Sequence, residues 1–135
     1  MMADRLSSAL GAAIGVMSRV PRDPAFDAAA FDELREMIGY GGVMETVEIF
    51  EIETRQRLRR LAAGGLDRAA LVREMHTLKG AAATVAAPRL AALGRTLEQA
   101  ARRGIVPSPD HRGAIEDALE AFLSEVRAWS RSAMV

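Results

Sequence analysis

Asp67-RAALVREMHTLKGAAATVAA-Pro88 is the stretch from which the fold is read. Asp67 suits the N-cap of a helix and Pro88 suits the first turn of the next one, so a helix is predicted between them, ending at an Ala86, Ala87, Pro88 corner. Within it Leu71, Met75, Leu78, Ala82 and Val85 recur at steps of four and three, the spacing that lines up side chains on one helical face. At about 100° of rotation per residue, His76 falls roughly 140° from the centre of that stripe. The stripe is therefore expected in the core and His76 on the surface. A histidine in a helical bundle is more often a satisfied core side chain, and this geometry argues against that reading here.

Working outward, glycine and proline cut the rest of the chain into helical pieces, and no β-branched or aromatic run alternates with polar residues. Upstream, Val43, Val47, Phe50, Leu58 and Leu61 mark a helix from Val43 to about Ala63, stopped by Gly64 and Gly65. Before it, Phe31, Leu34 and Ile38 form the stripe of a short helix that Gly39 to Gly42 ends, preceded by a linker from Pro21 to Pro24. Downstream, Leu90, Leu93, Leu97 and Ala101 define a helix from Pro88 to Arg103, finished by Arg102, Arg103 and Gly104. Ser108 and Pro109 cap and open a last helix with Ile115, Leu119, Phe122, Val126 and Trp129 on one face. Four long amphipathic helices with short connections pack most simply as an antiparallel bundle. The fold class is all-α, an antiparallel four-helix bundle with additional short N-terminal helices. Residues 1–20 are expected to be a helical extension with Leu6, Leu10, Ile14 and Met17 on one side, and residues 21–135 the bundle domain.

Composition narrows the chemistry. The chain has 135 residues, 18 basic and 18 acidic side chains, no cysteine and two histidines. One core is expected at this length. The balanced charge supplies no net field toward nucleic acid or an anionic membrane. The absence of cysteine excludes disulfides and thiol catalysis and agrees with a reducing cytoplasm. The apolar stretch from Leu10 to Val20 is too short to span a bilayer and has no convincing signal-peptide cleavage site.

On the face of His76 stand Lys79 and Gly80, three and four residues later, with Ala83 one turn beyond Lys79. Glycine inside a helix costs about 1 kcal/mol relative to alanine. Clearance for a bulky incoming group would explain it, and chance is the rival explanation. Neutral histidine carries a free lone pair and can act as a nucleophile. A nearby ammonium disfavours imidazolium and would stabilise the anionic oxygens of a phosphoryl group placed on the ring. Lys79 can also be read as an ordinary solvated lysine.

The run His76, Thr77, Leu78, Lys79, Gly80, Ala81, Ala82, followed by Leu90, Leu93, Leu97 and Glu98, resembles the signature of the histidine-containing phosphotransfer (HPt) domain family. The likeness in helix order extends over roughly Phe26 to Trp129. The resemblance implies phosphorylation of His76 on Nε2, support of the phosphoryl group by Lys79, and room for a receiver domain at Gly80. It also implies a phosphocarrier without intrinsic kinase activity, moving a phosphoryl group between receiver aspartates. Its partners would be receiver domains of hybrid histidine kinases and response regulators, with Mg²⁺ on the receiver and no cofactor of its own. A second glycine is common in the family where Ala86 stands, so the hairpin bend is expected to differ slightly here.

Hairpin geometry adds a candidate. Residues 76 and 98 lie eleven positions either side of Ala87, so folding back at that corner brings Glu98 beside His76. There it could accept from Nδ1–H and orient the ring. Gln99 is the neighbouring alternative, and a solvated acid is a third reading. Arg55, Arg57, Arg59 and Arg60 are expected to complement the helix dipole, with an acidic-partner site as the minority reading. His111 is expected to be exposed, and no phosphate-binding glycine loop is present. A monomer in the cytoplasm is expected. The rival readings are a docking bundle that accepts no phosphate and a structural helical dimer built on the N-terminal segment.

Overall fold

A computed structural model describes residues 23–133. It contains four helices, α1 (Ala28–Ala63), α2 (Arg68–Thr84), α3 (Pro88–Arg102) and α4 (Pro109–Ala133), and no strand among the described residues. The expected N-terminal extension and its boundary at residue 20 lie outside those residues. α2 packs closely against α3, while α1 lies beside α2 and α4, and α4 beside α3. The four therefore close a ring around one core, the all-α bundle that the pattern of stripes predicts.

Local signals set the helix ends. Asp67 accepts from the backbone N–H of Ala70 at 2.8 Å and Asp27 from that of Ala30 at 3.1 Å, each satisfying an orphan donor of a first turn. Pro88 opens α3, and Gly64 ends α1 with φ 74°, a conformation alanine adopts only at a cost. Met75, Leu78, Leu90, Leu97, Leu119 and Phe122 are at most 1% exposed. Burial of a side chain of this size stabilises by about 1.5–3 kcal/mol. The five stripe residues, four in α2 and Val85 at its C-cap, are all buried.

Three features differ from the sequence reading. The short first helix does not stop over a Gly39 to Gly42 loop. Gly39 alone leaves helical geometry, with φ 79° and ψ 168°, and the helix resumes at once. The break lets Phe31 and Tyr40 reach the same indole, with ring centroids 4.7 Å and 5.9 Å from Trp129. Ile38, placed on the buried stripe, is 45% exposed because it sits at that bend. At the α2–α3 corner Ala86 has φ 63°. The bend thus enters the left-handed region although the residue is alanine, and the Ala86 carbonyl accepts from the Asp27 N–H at 3.0 Å, anchoring the corner to the start of α1.

Candidate functional site

α2 carries His76 opposite its buried stripe, and the imidazole is 65% exposed. From α3, Glu98 reaches it: Oε1 lies 2.7 Å from Nδ1. Lys79, one turn along α2, donates to both oxygens of the same carboxylate at 3.2 Å and 3.3 Å. Arg102, one turn along α3, stands 3.6 Å from Oε2. Glu98 itself is only 7% exposed.

Electrostatics decide the protonation of this cluster. Burial opposes ionisation of Glu98, but hydrogen bonds from His76 and Lys79 outweigh it and hold the carboxyl below its ordinary value. An ionised carboxylate only accepts, so the shared hydrogen belongs to Nδ1. In the neutral ring the lone pair is then on Nε2, which has no hydrogen-bond partner among the described residues. The arrangement offers an exposed nitrogen nucleophile whose ring is tethered at its other nitrogen, with a cation one turn away.

Gly80 is exposed, and a Cβ added there would meet nothing within 4 Å. Its lack of a side chain is therefore not demanded by packing inside the domain. Gln99 is exposed and takes no part in the His76 contact, which belongs to Glu98.

Sequence reasoning missed Gly94. A Cβ there would lie 2.8 Å from the Lys79 backbone nitrogen and 2.9 Å from its Cα, closer than real atoms approach. Gly94 thus permits the tight α2–α3 crossing, and Glu98 is the next residue one turn along the same face. The available signal was a glycine interrupting the Leu90, Leu93, Leu97 stripe.

The second histidine is a correction. His111 is 5% exposed, not on the surface. Its ring Nδ1 accepts from the Ser108 backbone N–H at 2.9 Å while the His111 backbone N–H donates to Ser108 Oγ at 3.2 Å, a reciprocal cap in which imidazole stands where glutamate or glutamine usually serves. The arginine cluster is largely consumed within the fold. Arg55 pairs with Glu51 and Glu120, and Arg57 and Arg60 both pair with Glu74, tying α1 to α4 and to α2.

The sequence model of the Hpt domain family matches residues 45–129, more than half the chain and including His76, Lys79, Gly80 and Glu98. The chain belongs to the Hpt domain family. No curated protein and no solved structure matched it. Hpt domains serve histidine phosphotransfer in phosphorelays as phosphocarrier modules, and their partners are receiver domains. In this Hpt domain no helix among the described residues is long and apolar enough to cross a membrane. Of its two histidines, one is exposed, with a ring nitrogen that has no partner among the described residues, and the other is buried in a helix cap.

Proposed function

We propose that this Hpt domain takes a phosphoryl group on Nε2 of His76 from the phosphoaspartate of one receiver domain and passes it to the aspartate of another. The Nε2 lone pair attacks phosphorus, the bond from phosphorus to the aspartate oxygen breaks, and the aspartate leaves as a carboxylate. The proton on Nδ1 stays in place, and the Glu98 carboxylate offsets the positive charge that grows on the ring. Lys79 neutralises phosphoryl oxygens, and Gly80 leaves the approach clear. Mg²⁺ is held by the receiver, whose acidic pocket supplies the rest of the positioning on which phosphoryl transfer depends. The domain works as a monomer in the cytoplasm, between the receiver of a hybrid histidine kinase and that of a response regulator.

The observation that carries this reading is the exposed His76 ring held through Nδ1 by Glu98 at 2.7 Å. Incubation with phosphorylated receiver domains tests it. Wild-type chain is expected to gain acid-labile, alkali-stable label, His76→Gln to gain none while keeping its helical circular dichroism, and His111→Gln to gain it normally. Undiminished labelling of His76→Gln would overturn the assignment.

A further inference from the structure

We infer that Arg102 is a positioning residue for the transfer: it takes over the Glu98 carboxylate when Lys79 leaves it for the phosphoryl group, and so keeps that carboxylate on Nδ1 throughout. This deepens the reading of His76 as the phosphoacceptor and rests on it.

Lys79 is asked for in two places. At rest its ammonium donates to both Glu98 oxygens, at 3.2 Å and 3.3 Å, while the carboxylate holds Nδ1 at 2.7 Å. The two nitrogens of an imidazole point to different sides of the ring, so the seat beside the Nδ1 partner is not the seat from which phosphoryl oxygens on Nε2 are reached. A phosphorylated side chain carries about −1.5 to −2 charges at pH 7, more than one carboxylate, and lysine is a compact charge on a flexible stem. Its ammonium is therefore drawn off Glu98 as the bond from Nε2 to phosphorus forms and the aspartate oxygen leaves. That departure leaves Glu98 short of a counter-charge. The carboxyl is only 7% exposed, and burial opposes its ionisation. A ring bonded at Nε2 and still protonated on Nδ1 is cationic, and an uncompensated carboxylate would draw that proton to itself.

Arg102 is placed to prevent this. Its guanidinium stands 3.6 Å from Oε2, too long for a hydrogen bond but close enough that a small side-chain movement makes one. It lies four residues beyond Glu98 on α3, so the pair shares one helix face and needs no movement of the hairpin. The side chain is 61% exposed, makes no other ion pair among the described residues, and stays charged at any working pH. Arg95, three residues before Glu98, lines a different groove, which it shares with Asp23 and Asp27. Besides His76, Lys79 and Arg102, no charged side chain pairs with Glu98 among the described residues. At rest an exposed pair of this spacing adds little. The role of Arg102 thus belongs to the state in which Lys79 is engaged elsewhere. An arginine in the last turn of a helix also complements the dipole, and the test separates the two.

Carbon NMR of the Glu98 carboxyl, titrated against pH, reads the first half without any partner. Lys79→Ala imitates the departure of the ammonium. Arg102→Gln is expected to raise the Glu98 midpoint little when Lys79 is present and clearly in the Lys79→Ala chain, where Arg102→Lys should keep it low. Equal shifts in the two backgrounds overturn the inference, since Arg102 would then be a background charge. The second half uses chain phosphorylated on His76 by phosphoramidate, which needs no receiver. Nitrogen NMR at pH 7 should show Nδ1 more fully protonated in wild type and Arg102→Lys than in Arg102→Gln, and an Nδ1 proton indifferent to Arg102→Gln overturns the inference. With a receiver that labels the wild-type chain, single-turnover transfer from His76 at saturating receiver should slow by up to about fivefold in Arg102→Gln and recover in Arg102→Lys. Slowing that saturation removes would make Arg102 a docking contact and overturn the inference too. Failure of every receiver to label the wild-type chain would instead remove the relay role, while the two NMR measurements still decide the hand-over.

Discussion

Glu98 is the side chain on which the protonation of the site turns. Its carboxyl is held below the ordinary value of 4.5 because hydrogen bonds from His76 and Lys79 overcome the effect of burial. The stabilisation it provides is complete above that ordinary value and is lost as pH falls through the lowered one. Glu98→Ala is expected to slow transfer to His76 by about tenfold, since orienting partners of a reactive imidazole are commonly worth that much. Nitrogen NMR should also show protons redistributed between Nδ1 and Nε2. An unchanged tautomer in that variant would show that Glu98 does not orient the ring. His111 gives the opposite kind of prediction. Burial pushes its pKa below 6.5, with Asp110 opposing, so between the two values the unfolded chain binds more protons than the folded one. Stability is therefore full above about 6.5 and declines as pH falls toward the lowered value. His111→Gln, which retains an acceptor for the Ser108 N–H, should flatten that decline in denaturant melts while leaving His76 labelling intact. The exposed setting of His76 was legible from its angle to the stripe. The burial of His111 was not, because a first-turn residue is covered or bare according to what packs across the helix end.

The α2–α3 hairpin is the element that assembles the site. Its register was readable from the corner, since equal chain lengths on either side of Ala87 bring residues 76 and 98 to one level. The distance between its helices was not readable, and Gly94 sets it. Gly94→Ala forces a methyl to within 3.0 Å of the Lys79 backbone, so the helices must part. Overpacking of this kind costs about 1–3 kcal/mol. Thermal melting should shift downward accordingly, and slower labelling of His76 should accompany it because Glu98 is carried away from the ring. In a Glu98→Ala background the added Gly94→Ala change should slow labelling little further, since the contact it disturbs is already gone. Full additivity would show that Gly94 supports the bundle without acting through Glu98. The corner also shows why a family pattern can depart at one position and keep the bend: Ala86 takes φ 63°, and its anchored carbonyl and burial hold it there.

At the scale of the whole molecule, a single core runs from Phe31 to Val126, with Phe31, Val43 and Phe122 fully buried. A chain beginning at residue 21 is accordingly expected to melt in one cooperative transition, with a midpoint within a few degrees of the full chain, and to accept label on His76. Loss of cooperativity on removing residues 1–20 would make the extension part of the bundle. Periodicity, caps and stops along the chain determined the helices, their buried faces and the exposed histidine with Lys79 and Gly80 beside it, because these depend on neighbours within a few residues. Tertiary structure alone decided which glycine bends α1, that Glu98 and not Gln99 meets the ring, that Glu98 is ionised under two cations, that Gly94 closes the crossing, and that His111 is buried. Each of those depends on the spacing and rotation of a second helix, which a periodic pattern on the first does not contain.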